Sequence, residues 1–146
     1  MSNRYASSYR GFDYLNLDEQ LSDEQKLIRD SVRSWVNTSV IPIIEDCAEN
    51  NQFPKHLIKE LGEIGAFGPH IPVEYGGGGL DAISYGLIMQ ELERGDSGIR
   101  SCASVQSSLV MYPIWKYGSE EQRMKFLPKL AKGEFLGSFG LTEPNH

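Results

Sequence analysis

The chain has 146 residues, the length of one domain, and at that size folding buries roughly 68–70% of the surface an unfolded chain exposes. Its 20 acidic and 14 basic residues leave a net charge of −6, which excludes a duplex nucleic-acid surface, since that needs clustered Lys and Arg. No apolar run is long enough to span a bilayer, and residues 1–20 lack the apolar stretch of a secretory signal. Cys47 and Cys102 stand far from each other and from His56, His70 and His146, so no metal-ligand spacing arises. These features describe a soluble, cytoplasmic protein with two small buried cysteines in a reducing compartment, behind an extended leader over residues 1–20.

Ser22-Asp23-Glu24-Gln25 is a capping-box pattern, and Ile28, Val32, Val36 and Val40 follow it at intervals of four, with Leu27 and Trp35 flanking the stripe. This predicts an amphipathic helix that Pro42 kinks or ends near Ile41. Pro54 suits the first turn of a second helix with Leu57, Leu61 and Ile64 on its apolar face, weakened by Gly62 and closed at Gly65. Phe67 to Leu80 reads as a loop, ending at Asp81 as the cap of a third helix from Ala82 to about Arg94. Gly95-Asp96-Ser97-Gly98 interrupts, and a fourth helix is predicted from about Ser101 to Tyr117, with Pro113 breaking the ladder near its end. Ser119-Glu120-Glu121-Gln122 repeats the capping box and opens a fifth helix to about Lys132, in which Pro128 sits awkwardly late. Strand-like alternation is scarce, so the domain is read as all-α with an extended segment from Phe135 onward.

Three stretches could carry chemistry. Between Ser101 and Trp115 there is no charged residue, which predicts a helix surrounded by others. Arg100 stands at its front end, where the helix dipole disfavours a cation, so it needs an anion: a bound carboxylate or phosphate, or a local partner in Asp96 or Glu93. From the residues alone those two readings stand level. The run Gly76-Gly77-Gly78-Gly79 has no Lys-Ser or Lys-Thr after it and no strand before it, so it is a turn and not a phosphate cradle. Glu91 and Glu93 point in different directions on a helix, and with Glu24, Glu60, Glu63, Glu120 and Glu121 they read as solvated faces or caps. Within residues 1–146 no general base can be assembled with a nucleophile. Glu143 before Pro144 is biased to extended backbone, which offers amides and carbonyls in a row, with the Thr142 hydroxyl and apolar Phe139 and Leu141 beside them.

Several uncommon strings then occur in one order: Ile71-Pro72-Val73-Glu74-Tyr75-Gly76-Gly77, Glu91-Leu92-Glu93-Arg94-Gly95-Asp96-Ser97-Gly98, Arg100-Ser101 with Ser104-Val105-Gln106-Ser107-Ser108-Leu109-Val110-Met111, Tyr117-Gly118-Ser119-Glu120-Glu121-Gln122, and Phe139-Gly140-Leu141-Thr142-Glu143-Pro144. Together they resemble the acyl-CoA dehydrogenase family, from about Leu21 to His146, and within it the glutaryl-CoA branch. The resemblance implies the helical N-terminal domain of that fold over residues 21–134 and the start of its flavin-contacting β-domain over residues 135–146. It implies FAD as cofactor, with Phe139, Gly140, Leu141 and Thr142 lining the flavin, and Arg100 and Ser101 holding the distal carboxylate of a glutaryl thioester. It further implies α,β-dehydrogenation of an acyl-CoA, with loss of CO₂ in the glutaryl branch, an electron-transfer flavoprotein as acceptor, and a homotetramer when complete. The carboxylate base of that family belongs to a C-terminal domain with no counterpart in residues 1–146, so no catalytic residue is assigned, and none is assigned to His146. Two other readings remain at this point: a dehydrogenase or oxidase for an uncharged short acyl chain, and a helical interaction module without chemistry.

Overall fold

In a computed structural model, which describes residues 14–144, both Ser-x-x-Gln patterns form the reciprocal caps their sequence implies. The Ser22 hydroxyl accepts from the Gln25 amide at 3.2 Å while Gln25 Oε1 accepts from the Ser22 amide at 3.0 Å, opening α1 (Asp23–Trp35). The same Gln25 donates through Nε2 to Asp81 Oδ2 at 2.8 Å, and Asp81 caps a later helix by accepting from the Ser84 amide. One buried amide thus ties two helix starts together. Residues 1–13, most of the predicted leader, lie outside the described residues, as do Asn145 and His146.

Two prolines are passed and not obeyed. The chain does not end at Ile41: it widens into a π turn (Val36–Val40) and continues as α2 (Ile41–Glu49) with Pro42 in its first turn. Proline has no amide hydrogen and its ring collides with the carbonyl four residues back, and a wider turn places the residue where neither matters. The same device recurs at Pro113. There α5 (Ser97–Ser104) runs into a seven-residue π segment (Val105–Met111) before α6 (Tyr112–Tyr117), with Pro113 again in the first turn. Pro128 is held inside α7 (Glu120–Ala131).

Between these, α3 (Leu57–Glu63) buries Leu57 and Leu61, and α4 (Ala82–Gly95) buries Ile88 and Leu92. The predicted break at Gly95–Gly98 is only a corner. Asp96 accepts from the Ile99 amide at 2.8 Å, so α5 starts at Ser97, four residues ahead of the expected Ser101. That cap has the ordinary three-residue spacing and is masked in the sequence by Gly95 and Gly98. Leu27 was also misjudged: it is 68% exposed, while Val32, Val36 and Val40 carry the buried stripe.

The core lies where α1 packs on α4, α4 on α5 and α6 on α7, with Phe67 and Ile71 of the connecting loop filling its centre. Each large buried side chain there contributes roughly 1.5–3 kcal/mol relative to exposure. Among the described residues there is no strand, as the all-α reading requires, and no helix long and apolar enough to cross a membrane. Cys47 and Cys102 are both free and half-buried, not enclosed as expected, and burial pushes the Cys102 thiol up from its ordinary value.

Glu91 is the plain correction. It is 1% exposed and not a solvated face. Arg33 of α1 donates to both of its oxygens, at 2.7 and 3.1 Å, and Arg94 donates to Oε2 at 2.8 Å. Periodicity identified the helix, but only the neighbouring helix could supply the second guanidinium that makes burial tolerable. Glu60 and Glu120 are also engaged, accepting from Trp35 Nε1 at 2.8 Å and Tyr75 Oη at 3.0 Å.

Candidate functional site

Because α5 begins at Ser97, Arg100 lies in its first turn and not ahead of it. Its local partner is Glu93: Arg100 Nε donates to Glu93 Oε2 at 2.5 Å, and Nη1 donates to the Ser104 hydroxyl at 3.2 Å. The Ser104 hydroxyl in turn donates to the Ser101 carbonyl at 3.2 Å, so each hydroxyl and guanidinium contact has a consistent donor and acceptor. The Arg100 guanidinium and the Ser97 hydroxyl hold the Glu93 carboxyl below its ordinary range, so the pair is charged. The side chain of Arg100 is 35% exposed and that of Glu93 47%, and a pair so wetted is weak because water screens it. Arg100 Nη2 and the Ser101 hydroxyl hydrogen-bond to no described residue. The geometry is therefore a guanidinium oriented by Glu93 and Ser104, with Nη2 left to donate to an anion such as a carboxylate.

Six residues along the same helix stands Gln106, 1% exposed, in the π segment. The widened turn brings Gln106 and Ser107 inward as consecutive residues, which a regular helix would separate by about 100°. Ser107 accepts from the Gly68 amide at 2.9 Å and donates to the Ala66 carbonyl at 3.3 Å, fixing the loop before the glycine run. Gln106 faces the other way. Its Nε2 donates to the Leu130 carbonyl at 2.9 Å and to the Phe135 carbonyl at 2.7 Å, and its Oε1 accepts from the Gly137 amide at 2.9 Å. All of its hydrogen-bonding groups are used, at roughly 1 kcal/mol net each. Sequence reasoning named this residue only as part of a string; an uncharged amide inside an otherwise apolar run was the available signal.

Beyond this tether Phe139, Gly140, Leu141 and Thr142 belong to no helix or strand. The backbone from Ser138 to Thr142 makes no hydrogen bond to another described residue, and Phe139 and Leu141 are exposed. Such a strip presents amides, carbonyls and apolar side chains side by side, the complement of a flat ring with a polar edge. The glycine run, by contrast, has its amides occupied: Gly77, Gly78, Gly79 and Leu80 donate to the carbonyls of Pro72, Gly68, Ile71 and Pro69. It is a turn, as predicted, with no free amides for a phosphate.

Two surface clefts, one lined by Lys59, Gly62, Glu63, Lys132, Gly133 and Glu134 and one by Pro113, Ile114, Tyr117, Gly118, Gln122 and Phe126, both lie away from Arg100. Arg100 and Ser101 lie in α5 outside both clefts, and no group of three His, Cys, Asp or Glu that could hold a metal occurs among the described residues.

The described residues thus form a domain of helices whose last segment is tied back to the helical run that carries Arg100. Residues 22–134 match the family described as "Acyl-CoA dehydrogenase, N-terminal domain", and the chain belongs to the acyl-CoA dehydrogenase family. Two crystal structures of a glutaryl-CoA dehydrogenase from Mycobacterium smegmatis superpose with a TM-score of 0.87. One of them, in complex with FADH2, is 45% identical over 90% of this chain and 34% of its own; the other is 47% identical over 92% and 35%. The short-chain-specific acyl-CoA dehydrogenase of Clostridium acetobutylicum is 40% identical over 88% of this chain and 34% of its own length. The chain thus spans about a third of the length of the relatives it matches.

Proposed function

We propose that this chain is the substrate-anchoring, helical part of an FAD-dependent oxidoreductase that dehydrogenates an acyl-CoA thioester between its α and β carbons, with glutaryl-CoA as substrate and decarboxylation to crotonyl-CoA. The observation that carries the glutaryl assignment is the Arg100 guanidinium, oriented by Glu93 and Ser104 with Nη2 still uncommitted, in the residue before Ser101. A carboxylate at the far end of the acyl chain would accept from both, in the fork geometry Arg favours. Family membership supports the reaction class, and the FADH2 held by the similar mycobacterial enzyme supports the cofactor.

The flavin supplies the acceptor for the hydride leaving the β carbon. This chain's residues bind and orient. Arg100 and Ser101 fix the distal carboxylate and so the reach of the acyl chain. Phe139, Gly140, Leu141 and Thr142 line the flavin, Phe139 and Leu141 excluding water and Thr142 hydrogen-bonding to the polar edge of the ring. The fit rests on that strip with its unpaired amides. Proton removal from the α carbon belongs to a carboxylate outside these residues. In this reading residues 135–146 open the flavin-contacting β-domain, electrons pass to an electron-transfer flavoprotein, and the complete enzyme is a homotetramer.

A second reading is favoured by the 2.5 Å Arg100–Glu93 contact: if that ion pair is the guanidinium's whole purpose, the substrate is an uncharged short acyl-CoA. The comparison of glutaryl and butyryl thioesters in the complete enzyme separates the two. Arg100→Gln is expected to lower kcat/KM for glutaryl-CoA by roughly 30-fold or more, the cost of removing one partner of a desolvated charge pair, and to leave butyryl turnover nearly unchanged. An unchanged glutaryl preference in that variant sinks the anchor.

A further inference from the structure

We propose that Gln106 is a positioning residue for the flavin strip: by holding Phe135 and Gly137 it sets where Phe139–Thr142 lies relative to the Arg100 anchor. The inference rests on the reading above. Its geometry does not. One helix, running from Ser97 to Tyr117 through its π segment, carries both Arg100 and Gln106, about 9 Å apart along the axis at 1.5 Å per residue. Gln106 Oε1 takes the Gly137 amide, and Thr142 follows five residues later, within about 17 Å of extended chain.

The tether has two sides. On one, the Gln106 amide bridges the end of α7 at Leu130 to the strip at Phe135 and Gly137. On the other, Gly137 lies so close to Val110 that an added Cβ would stand 2.3 Å from its Cγ1. Val110 belongs to the same π segment. The strip is therefore fixed by hydrogen bonding and by contact to two residues one helical turn apart, and to the element that bears the substrate anchor. From Ser138 to Thr142 the backbone hydrogen-bonds to no described residue, so Gln106 is the hydrogen-bonding hold nearest the start of the strip.

Had Gln106 served only to fill the core, an apolar residue of its length would do as well, and Ser107 beside it makes the matched comparison. Ser107 is as deeply buried, on the same π segment, but bonds to Ala66 and Gly68 on the opposite side. A structural role predicts similar consequences for the two. A positioning role predicts different ones.

The test uses Gln106→Met, which keeps the length and volume of the side chain, Gly137→Ala, which presses the strip off Val110 from the far side, and Ser107→Ala as the comparison. Amide exchange at Gly137 and FAD affinity of the complete enzyme are the readouts, with kcat and KM measured beside them. Gln106→Met is expected to speed Gly137 exchange at least about tenfold, the loss of one protecting bond and its two neighbours. Gln106→Met and Gly137→Ala are both expected to weaken FAD binding by about tenfold and to lower kcat, with KM within about twofold because Arg100 keeps its own partners. Ser107→Ala is expected to lower the melting temperature and leave FAD affinity alone. Faster exchange at Gly137 with FAD affinity unchanged in both variants overturns the inference and leaves the functional reading standing. A complete wild-type enzyme that takes up no FAD overturns the reading itself, and the positioning role with it.

Discussion

Glu91 on α4 accepts from Arg33 on α1 with both of its oxygens, at 2.7 and 3.1 Å, in a bidentate pair that Arg94 completes at 2.8 Å. Burial pushes the Glu91 carboxyl up, and the two guanidiniums outweigh it, holding the group below its ordinary 4.5. A carboxyl so lowered binds protons more readily in the unfolded chain. Its stabilisation is therefore complete above about pH 4.5 and lost as pH falls below that. Glu91→Gln is expected to lower the unfolding free energy by about 1–3 kcal/mol at pH 7, and the gap to wild type should close in acid. Urea denaturation across pH 3–7 checks both, and a gap that stays constant with pH counts against the ionised pair.

His70 predicts a second, separate acid step. Its ring stands edge-on to Tyr85 at 5.2 Å and tilted against Tyr112 at 5.7 Å, and burial pushes the imidazole below its ordinary 6.5. The folded form resists protonation that the unfolded form accepts, so this contribution is intact above pH 6.5 and declines below it. His70→Phe should remove the decline that sets in as pH falls through 6.5 and leave the Glu91 step in place. An NMR titration of His70 that midpoints at or above 6.5 would be the contrary result.

Two glycines respond oppositely to the same change. A Cβ on Gly77 would lie 2.2 Å from the Ile71 carbonyl oxygen, and backbone cannot step aside, so Gly77→Ala is expected to cost about 3 kcal/mol or more. Gly86 is exposed in the middle of α4 with nothing within 4 Å, so Gly86→Ala should stabilise by about 0.5–1 kcal/mol. Thermal unfolding of the pair gives the sign of each directly.

Pro42 offers a check on the π turn. Already in the first turn of α2, it forfeits no helical hydrogen bond, so Pro42→Ala should shift stability by less than about 1 kcal/mol. A new proline a few residues later, at exposed Glu45, has no widened turn ahead of it and is expected to cost about 3 kcal/mol. Equal effects from the two would show that the π turn does not relieve the first.

Local chemistry was legible. Ser22, Asp81 and Ser119 were readable as caps because a cap needs only a side chain and an amide three residues on. Leu57, Leu61, Ile88 and Leu92 were readable as core by spacing alone. Pro42 marks an irregularity near Ile41 and Pro113 one before Tyr117, but its form, a widened turn, was not legible because the rule that breaks a helix assumes a fixed 3.6-residue turn. Asp96 was hidden by its glycines, and Glu91 by the habit of placing acids in water.

The sequence by itself determined the all-α class, the positions of the capped helix starts and the strings that mark the family, because each depends on residues within a few places of one another. It also narrowed Arg100 to two partners. Only the tertiary structure decided that Glu93 and Ser104 orient that guanidinium, that Arg33 reaches Glu91 across 58 residues, and that Gln106 holds Gly137 across 31. The Arg33–Glu91, Glu93–Arg100 and Gln106–Gly137 contacts join separate elements, and their energies depend on burial and angle, which no local pattern of residues encodes.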